Sequence, residues 1–263
     1  MFSAGGAGEL LAWRVRSANE IALRGACEGW SDLRVEGFDL LPIGEGREDG
    51  VLLAIGYSDS TIRLYYFSPS TGTFNLVMEG THKTCCILHV KFLPSNNGIL
   101  VAGTDGYLSI YPLSDPYSLA SLPYPLPLPR KSVEKRIHQS SIKSLKVTVR
   151  TNGVCVYTGG DDCAFGITRI DTKNNIAESW IVPRAHASAV TAVLCVGEHI
   201  LTAGVDQQVK LWKVSERGEG ITVEVQEQQE SAVADISAAE IVGRGKILIV
   251  GVGVDIWEAS AGL

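Results

Sequence analysis

Short apolar runs alternate with turn-forming residues from one end of the chain to the other. Five segments share one internal order: GVLLAIGYSDSTIRLYYF, GILVAGTDGYLSIYPL, VCVYTGGDDCAFGITRI, HILTAGVDQQVKLWKV and KILIVGVGVDIWE. Each opens on an apolar, β-branched run, passes through a turn containing Gly or Asp, and continues into a second, alternating run that in most copies ends on an aromatic. Period-two patterning bounded by such turns predicts β-hairpins. A further apolar strand preceded by a histidine stands ahead of three of them: THKTCCILHVKFL from 81, IHQSSIKSLKVTV from 137 and AHASAVTAVLCV from 185.

The turn aspartates set the pitch. Asp59, Asp105, Asp162 and Asp206 are 46, 57 and 44 residues apart, and Trp212 and Trp257 are 45 apart. A period of roughly 40 to 45 residues with four short strands each is that of a WD-repeat β-propeller blade. The expected fold is therefore all-β, a single partial WD-repeat propeller over 1–263 with about five near-complete blades plus a partial first one. The expected divisions are a partial blade at 1–30, blades at 31–79, 80–113, 137–180 and 181–226, a Pro-rich inter-blade loop at 114–136, and an incomplete last blade at 227–263. The last blade is expected to take three strands, from SAVADISAAEI, KILIVGV and VDIWEAS. The opening MFSAGGAGELLAWRV aligns inside a blade, with Ser3 and Trp13 where the fourth of these hairpins has Thr202 and Trp212, and Ala7 in place of Asp206. EIALRGACE follows as an outer strand. Fewer blades than the seven common in such proteins lead to the expectation that the chain is the C-terminal part of a longer parent or a truncated gene model.

The polar residues inside the repeat form a set. His186, Thr202, Asp206 and Trp212 are all present in one copy; His138, Thr158 and Asp162 recur in another, with Thr168 at the tryptophan position; a third has His82 and Asp105, with Tyr111 as the terminal aromatic. A turn carboxylate can accept from the histidine, which reaches the hydroxyl and through it the indole N–H. A His-Asp-Thr set formally resembles a catalytic triad. Recurrence at blade pitch instead places it between sheets without an exposed nucleophile, so it is read as a structural network. His89 and His199 read as ordinary structural histidines.

Charge and composition narrow the function. A formal net charge of −6 argues against a broad, sequence-independent nucleic-acid binder, whose free energy comes from neutralising phosphates. A local basic patch remains open: Arg130, Lys131, Lys135 and Arg136 end the Pro-rich loop, and Lys143, Lys146 and Arg150 follow. These are candidate partner or RNA contacts, although a charge run is more often a solvated surface and strand alternation splits Lys143 from Lys146. Prolines at 116, 123, 125, 127 and 129 cannot donate ladder hydrogen bonds and predict an exposed, extended loop, either a stiff connector or a docking segment.

The six cysteines show no zinc spacing. Cys85, Cys86, Cys155 and Cys195 fall in apolar runs that read as strands, where reduced thiols behave as small hydrophobes, which fits a reducing compartment. No stretch reaches the roughly 18 to 20 apolar residues of a spanning helix and the start lacks a leader pattern, so the expected location is cytosolic or nuclear, with cytoplasmic preferred and no membrane association. Neither SAGGAGEL nor TGGDD carries the lysine of a phosphate loop. With no nucleophile, metal or cofactor site in the sequence, the chain is expected to be a scaffold and not an enzyme.

The later repeats are more particular. RIHQSSIKSLKV, VYTGGDDCAFGI, PRAHASAVTAV, ILTAGVDQQVKLWKV, VADISAAEI and the ending GVGVDIWE resemble the terminal blades of the WD-repeat regulatory subunit of the tRNA wobble-position 2′-O-methyltransferase. Among the cues are His138-Gln139 opening a blade, Asp206-Gln207 in place of Asp-Gly, and a last turn without aspartate. The likeness covers about 80–258 and is strongest from 136 onward. It implies a non-catalytic subunit that binds an FtsJ-like methyltransferase and helps it present the anticodon loop, so that the partner methylates ribose 34. S-adenosylmethionine would belong to that partner, and tRNA would be met indirectly or through a local basic patch. The alternative is a general WD scaffold, such as a ubiquitin-ligase substrate receptor or an endosomal trafficking adaptor.

Overall fold

In the computed structural model the described residues are 1–29, 32–44, 50–83, 85–121, 124–150, 153–171, 176–217, 220–243 and 245–258. Two compact units divide the chain, residues 1–104 with 108–134, and residues 105–107 with 135–263.

The fold is all-β, with six blade-type sheets among the described residues. The first sheet holds β1 (Phe2–Ala4), β2 (Leu10–Ser17) and β3 (Glu20–Cys27). The second holds β4 (Val35–Pro42), β5 (Val51–Tyr57), β6 (Thr61–Ser68) and β7 (Thr73–Thr81), and the third β8 (Ile87–Phe92), β9 (Gly98–Gly103) and β10 (Tyr107–Pro112). The chain then supplies β11 (Leu126–Pro127) to the second sheet and β12 (Val133–Arg136) to the third. The fourth sheet is β13 (Ile142–Arg150), β14 (Gly153–Gly160), β15 (Phe165–Asp171) and β16 (Ile176–Val182). The fifth is β17 (Val190–Val196), β18 (His199–Gly204), β19 (Gln208–Arg217) and β20 (Gly220–Glu230), and the sixth is β21 (Ala234–Gly243) with β22 (Lys246–Glu258). Except for the β11–β7 pair, the strand pairings with a described register are antiparallel.

The continuous apolar runs are explained by packing on both faces of a sheet. In β5, Leu53 and Ile55 join a core with Leu10 and Ala12 of the first sheet, while Leu52 and Ala54 join another with Ile87, Ile99 and Val101 of the third. In β18, Ile200 packs with Tyr157, Phe165 and Trp212, while Leu201 and Ala203 pack with Ile236, Ile247, Ile249 and Trp257. Alternate side chains of one strand thus enter different cores. The strand can be apolar throughout because neither face meets water.

The range of β22 doubles back on itself. Lys246 Nζ lies 3.1 Å from Glu258 Oε1, whereas an extended chain of that length would hold its ends ~40 Å apart. Gly253, at φ +126, lies within the reversal, so the sixth sheet carries three runs of strand.

Two expectations need correction. The segment 114–136 was expected to be loop, yet it contributes β11 and β12. Proline removes a donor only at its own position, and the leucines between the prolines keep theirs: Leu128 N donates to Glu79 O at 2.8 Å, and Leu126 pairs with Met78. Cys85 and Cys86 were expected in a strand but precede β8. There Cys86 N donates to Thr104 Oγ1 at 3.1 Å and Cys86 O accepts from Thr104 N at 3.0 Å, so the strand ladder starts only afterwards. Cys155 and Cys195 lie in β14 and β17.

Candidate functional site

The site starts from the turn between the second and third strands of a blade. In four successive turns the residue after the aspartate has positive φ: Ser60 (71°), Gly106 (77°), Cys163 (64°) and Gln207 (62°). The aspartate compensates by accepting the backbone N–H two residues on. Asp59, Asp105, Asp162 and Asp206 take those of Thr61, Tyr107, Ala164 and Gln208 at 2.9, 3.1, 3.2 and 3.2 Å. Asp tolerates this role because its short carboxylate mimics a backbone acceptor, and its oxygens have the capacity to accept further bonds.

In the fifth sheet they accept from a histidine. His186 Nδ1 lies 2.9 Å from Asp206 Oδ1, His186 Nε2 lies 2.8 Å from Thr202 Oγ1, and Trp212 Nε1 donates to that same Oγ1 at 2.7 Å. Asp206 Oδ2 also accepts from Ala187 N at 2.7 Å, tying the entry of the blade to its turn. One proton assignment satisfies every group: Nδ1–H donates to Asp206, the Thr202 hydroxyl donates to Nε2, and Thr202 Oγ1 accepts the indole N–H. His186 is then neutral. Its burial agrees, pushing the imidazole pKa below the ordinary value against the pull of Asp206. Burial works to raise the Asp206 carboxyl, but the bonds from His186, Ala187 and Gln208 prevail and hold it below its usual value. Thr202 has no exposed surface, so the set offers no nucleophile to solvent.

Other copies keep this plan in part. In the fourth sheet His138 Nδ1 is 2.7 Å from Asp162 Oδ1 and Nε2 is 2.9 Å from Thr158 Oγ1. Thr168 replaces the indole and turns instead to Ser179, 3.1 Å away. In the third, Val101 stands at the threonine position and Tyr111 bypasses it, sharing a 2.6 Å hydrogen bond with His82 Nδ1. In the first, Trp13 Nε1 donates to Ser3 Oγ at 2.7 Å. Thr202→Val is expected to cost about 1 kcal/mol more than Thr158→Val in urea unfolding, because it strands an indole N–H as well as an imidazole nitrogen. Equal losses would remove the indole from the network.

The sequence reading missed the sixth sheet's substitute. Ser231 occupies the place of the histidine and its Oγ donates to Asp255 Oδ2 at 2.9 Å; Ser231 N reaches Gln207 O as His186 N reaches Cys163 O. The turn lacks an aspartate, and the carboxylate arrives from within the following strand run. Trp257 keeps its buried place, but Ile249 stands where Thr202 would, and the indole N–H has no partner among the described residues. The spacing from Trp257 back to Ile249, two residues shorter than from Trp212 to Thr202, was the available signal.

The four basic candidates differ in their surroundings. Lys131 and Lys83 both contact Glu134, at 2.5 and 2.8 Å, and their hydrogen bonds hold its carboxyl below the usual range. Arg136 is directed to backbone, donating to His138 O and Gln139 O at 3.3 and 3.2 Å. Arg130 and Lys135 are exposed. Lys143 lies 3.4 Å from Asp161.

Residues 179–213, which hold His186, Thr202, Asp206 and Trp212, match the family model described as WD domain, G-beta repeat. The chain is 24% identical over 206 residues to the tRNA (34-2′-O)-methyltransferase regulator WDR6 of Mus musculus, an alignment covering 65% of this chain and 18% of that protein. It is 26% identical over 200 residues to the protein of the same name from Homo sapiens, with 63% and 18% covered. The Bos taurus protein gives 25% over 197 residues, again with 63% and 18%. The chain therefore spans about a fifth of the length of these relatives. It carries a match to the WD domain, G-beta repeat, and is similar to proteins named as tRNA (34-2′-O)-methyltransferase regulators.

Proposed function

We propose that this chain acts as a non-catalytic WD-repeat regulatory element, in the cytoplasm, that binds an FtsJ-like tRNA 2′-O-methyltransferase and supports methylation of ribose 34 in the anticodon loop. S-adenosylmethionine belongs to the enzyme partner. The observation that carries the reading is the similarity, over nearly two thirds of the chain, to proteins named as regulators of that reaction. Supporting it, neither His-Asp-Thr set turns its hydroxyl to solvent: Thr202 is buried between an indole and an imidazole, and Thr158 is equally buried against His138. No helix among the described residues is long and apolar enough to cross a membrane.

The test is removal of the gene followed by mass spectrometry of 2′-O-methylation at tRNA position 34, with affinity purification of the native gene product alongside. Loss of the modification, restored by re-expression, and co-purification of a methyltransferase are expected. Unchanged methylation in every substrate tRNA would end this reading.

A further inference from the structure

The proline-alternating segment does more than connect two sheets. It lies along the outer edge of the second sheet as β11, parallel to β7, with Leu126 opposite Met78 and Pro127 opposite Glu79. In an extended strand, successive backbone N–H groups point to opposite sides. Leu128 N donates to Glu79 O, so the positions sharing its side, Leu126 and Leu128, face β7. The positions whose nitrogens face away are 125, 127 and 129, and all three are proline. The new edge of the sheet carries outward carbonyls but no outward donor over this stretch.

The strand beneath has reason to be covered. β7 reads TFNLVMEGT, nine residues with one charge, and that charge is already engaged: the Glu79 carboxylate is 2.5 Å from Nε of the buried Arg63. The outer strand β20 of the fifth sheet, by contrast, carries Glu224, Glu227 and Glu230. Long edges without free charge are templates for pairing with another chain, and proline at an edge is one of the few residues that blocks it. The fit is close: Leu128 lies over Gly80, where a side-chain carbon would come within 2.3 Å of Leu128 Cβ.

We infer that the 125–129 strap is an edge guard, closing the outer edge of the second sheet to strand addition by a second copy of this chain. This inference is independent of the tRNA reading. Two variants test it by different routes. Pro125→Thr/Pro127→Thr/Pro129→Thr keeps the strap and restores three outward donors; Gly80→Val displaces the strap and bares β7. Sedimentation velocity across a hundredfold concentration range is expected to show a reversible dimer for each variant, absent from wild type, with the triple variant keeping the wild-type thermal midpoint and Gly80→Val lowering it as Leu128 leaves the core. If the triple variant does not fold, Gly80→Val decides. Wild-type sedimentation of the folded variants, or association of the triple variant that appears only with a lowered midpoint, overturns the guard.

Discussion

Phe165→Ala is expected to lower the unfolding free energy of the second unit by about 3–5 kcal/mol, the usual cost of removing a fully buried aromatic ring. Phe165 has no exposed surface and opens β15, with its ring 5.7 Å from that of Trp212 and 6.3 Å from that of Tyr157. It packs in a core shared by the fourth and fifth sheets, together with Cys155, Val193 and Ile200. In stacked repeats much of the stability lies in such neighbour interfaces, so the cavity weakens both sheets at once. Urea unfolding followed by tryptophan fluorescence and by circular dichroism measures it. Val149→Ala, on a side chain 63% exposed in β13, serves as the control and should stay within about 0.5 kcal/mol of wild type. Similar losses for the two substitutions would mean that this core does not hold the sheets together.

Asp206→Ala should be nearly as damaging, at about 2–4 kcal/mol. It removes the acceptor for His186 Nδ1, Ala187 N and Gln208 N together, and leaves an imidazole N–H buried without a partner. The pH dependence follows from the directions of the shifts. Both His186 and Asp206 have pKa values depressed on folding, so the unfolded chain binds more protons than the native one whenever either titrates. Stability therefore falls as pH is lowered. The His186 contribution is complete above its ordinary value of 6.5 and is lost below it; that of Asp206 is complete above 3.8 and is lost as pH drops further. Asp162, also depressed, adds to the second step. Thermal midpoints measured from pH 8 to pH 3 should decline in these two stages, and Asp206→Ala should decline less than wild type below pH 4. A midpoint that rises on acidification would reverse the assignment of a neutral His186.

What could be read in advance was local. Thr202 and Trp212 stand on the two strands of one hairpin, ten residues apart, and a tight turn fixes the register between them. Asp206 lies in that turn, where the backbone calls for an acceptor, so its position is set by the same short stretch. Ser3 with Trp13 and Thr158 with Asp162 were legible for this reason. The buried Arg63 was not: it spans from β6 to Glu79 on β7, and its guanidinium lies 4.7 Å from the ring centre of Tyr57 on β5. Burial pushes the phenols of Tyr57 and Tyr65 up beside it. Such a cluster draws its residues from three strands, β5, β6 and β7, and no period marks it.

By itself, then, the sequence determined the repeat, the hairpins and the polar set of the fifth sheet, because period-two patterning and short turns fix contacts between residues close in the chain. The tertiary structure decided what depends on distant partners. It laid Leu126 against Met78, 48 residues earlier, turning an expected loop into the edge of a sheet. It brought Asp255 to Ser231 where no turn aspartate stood, and left the Trp257 indole in the core without an acceptor among the described residues. Those outcomes rest on which surfaces meet once the sheets have packed; along the chain, only the shortened spacing from Trp257 back to Ile249 marked the last of them.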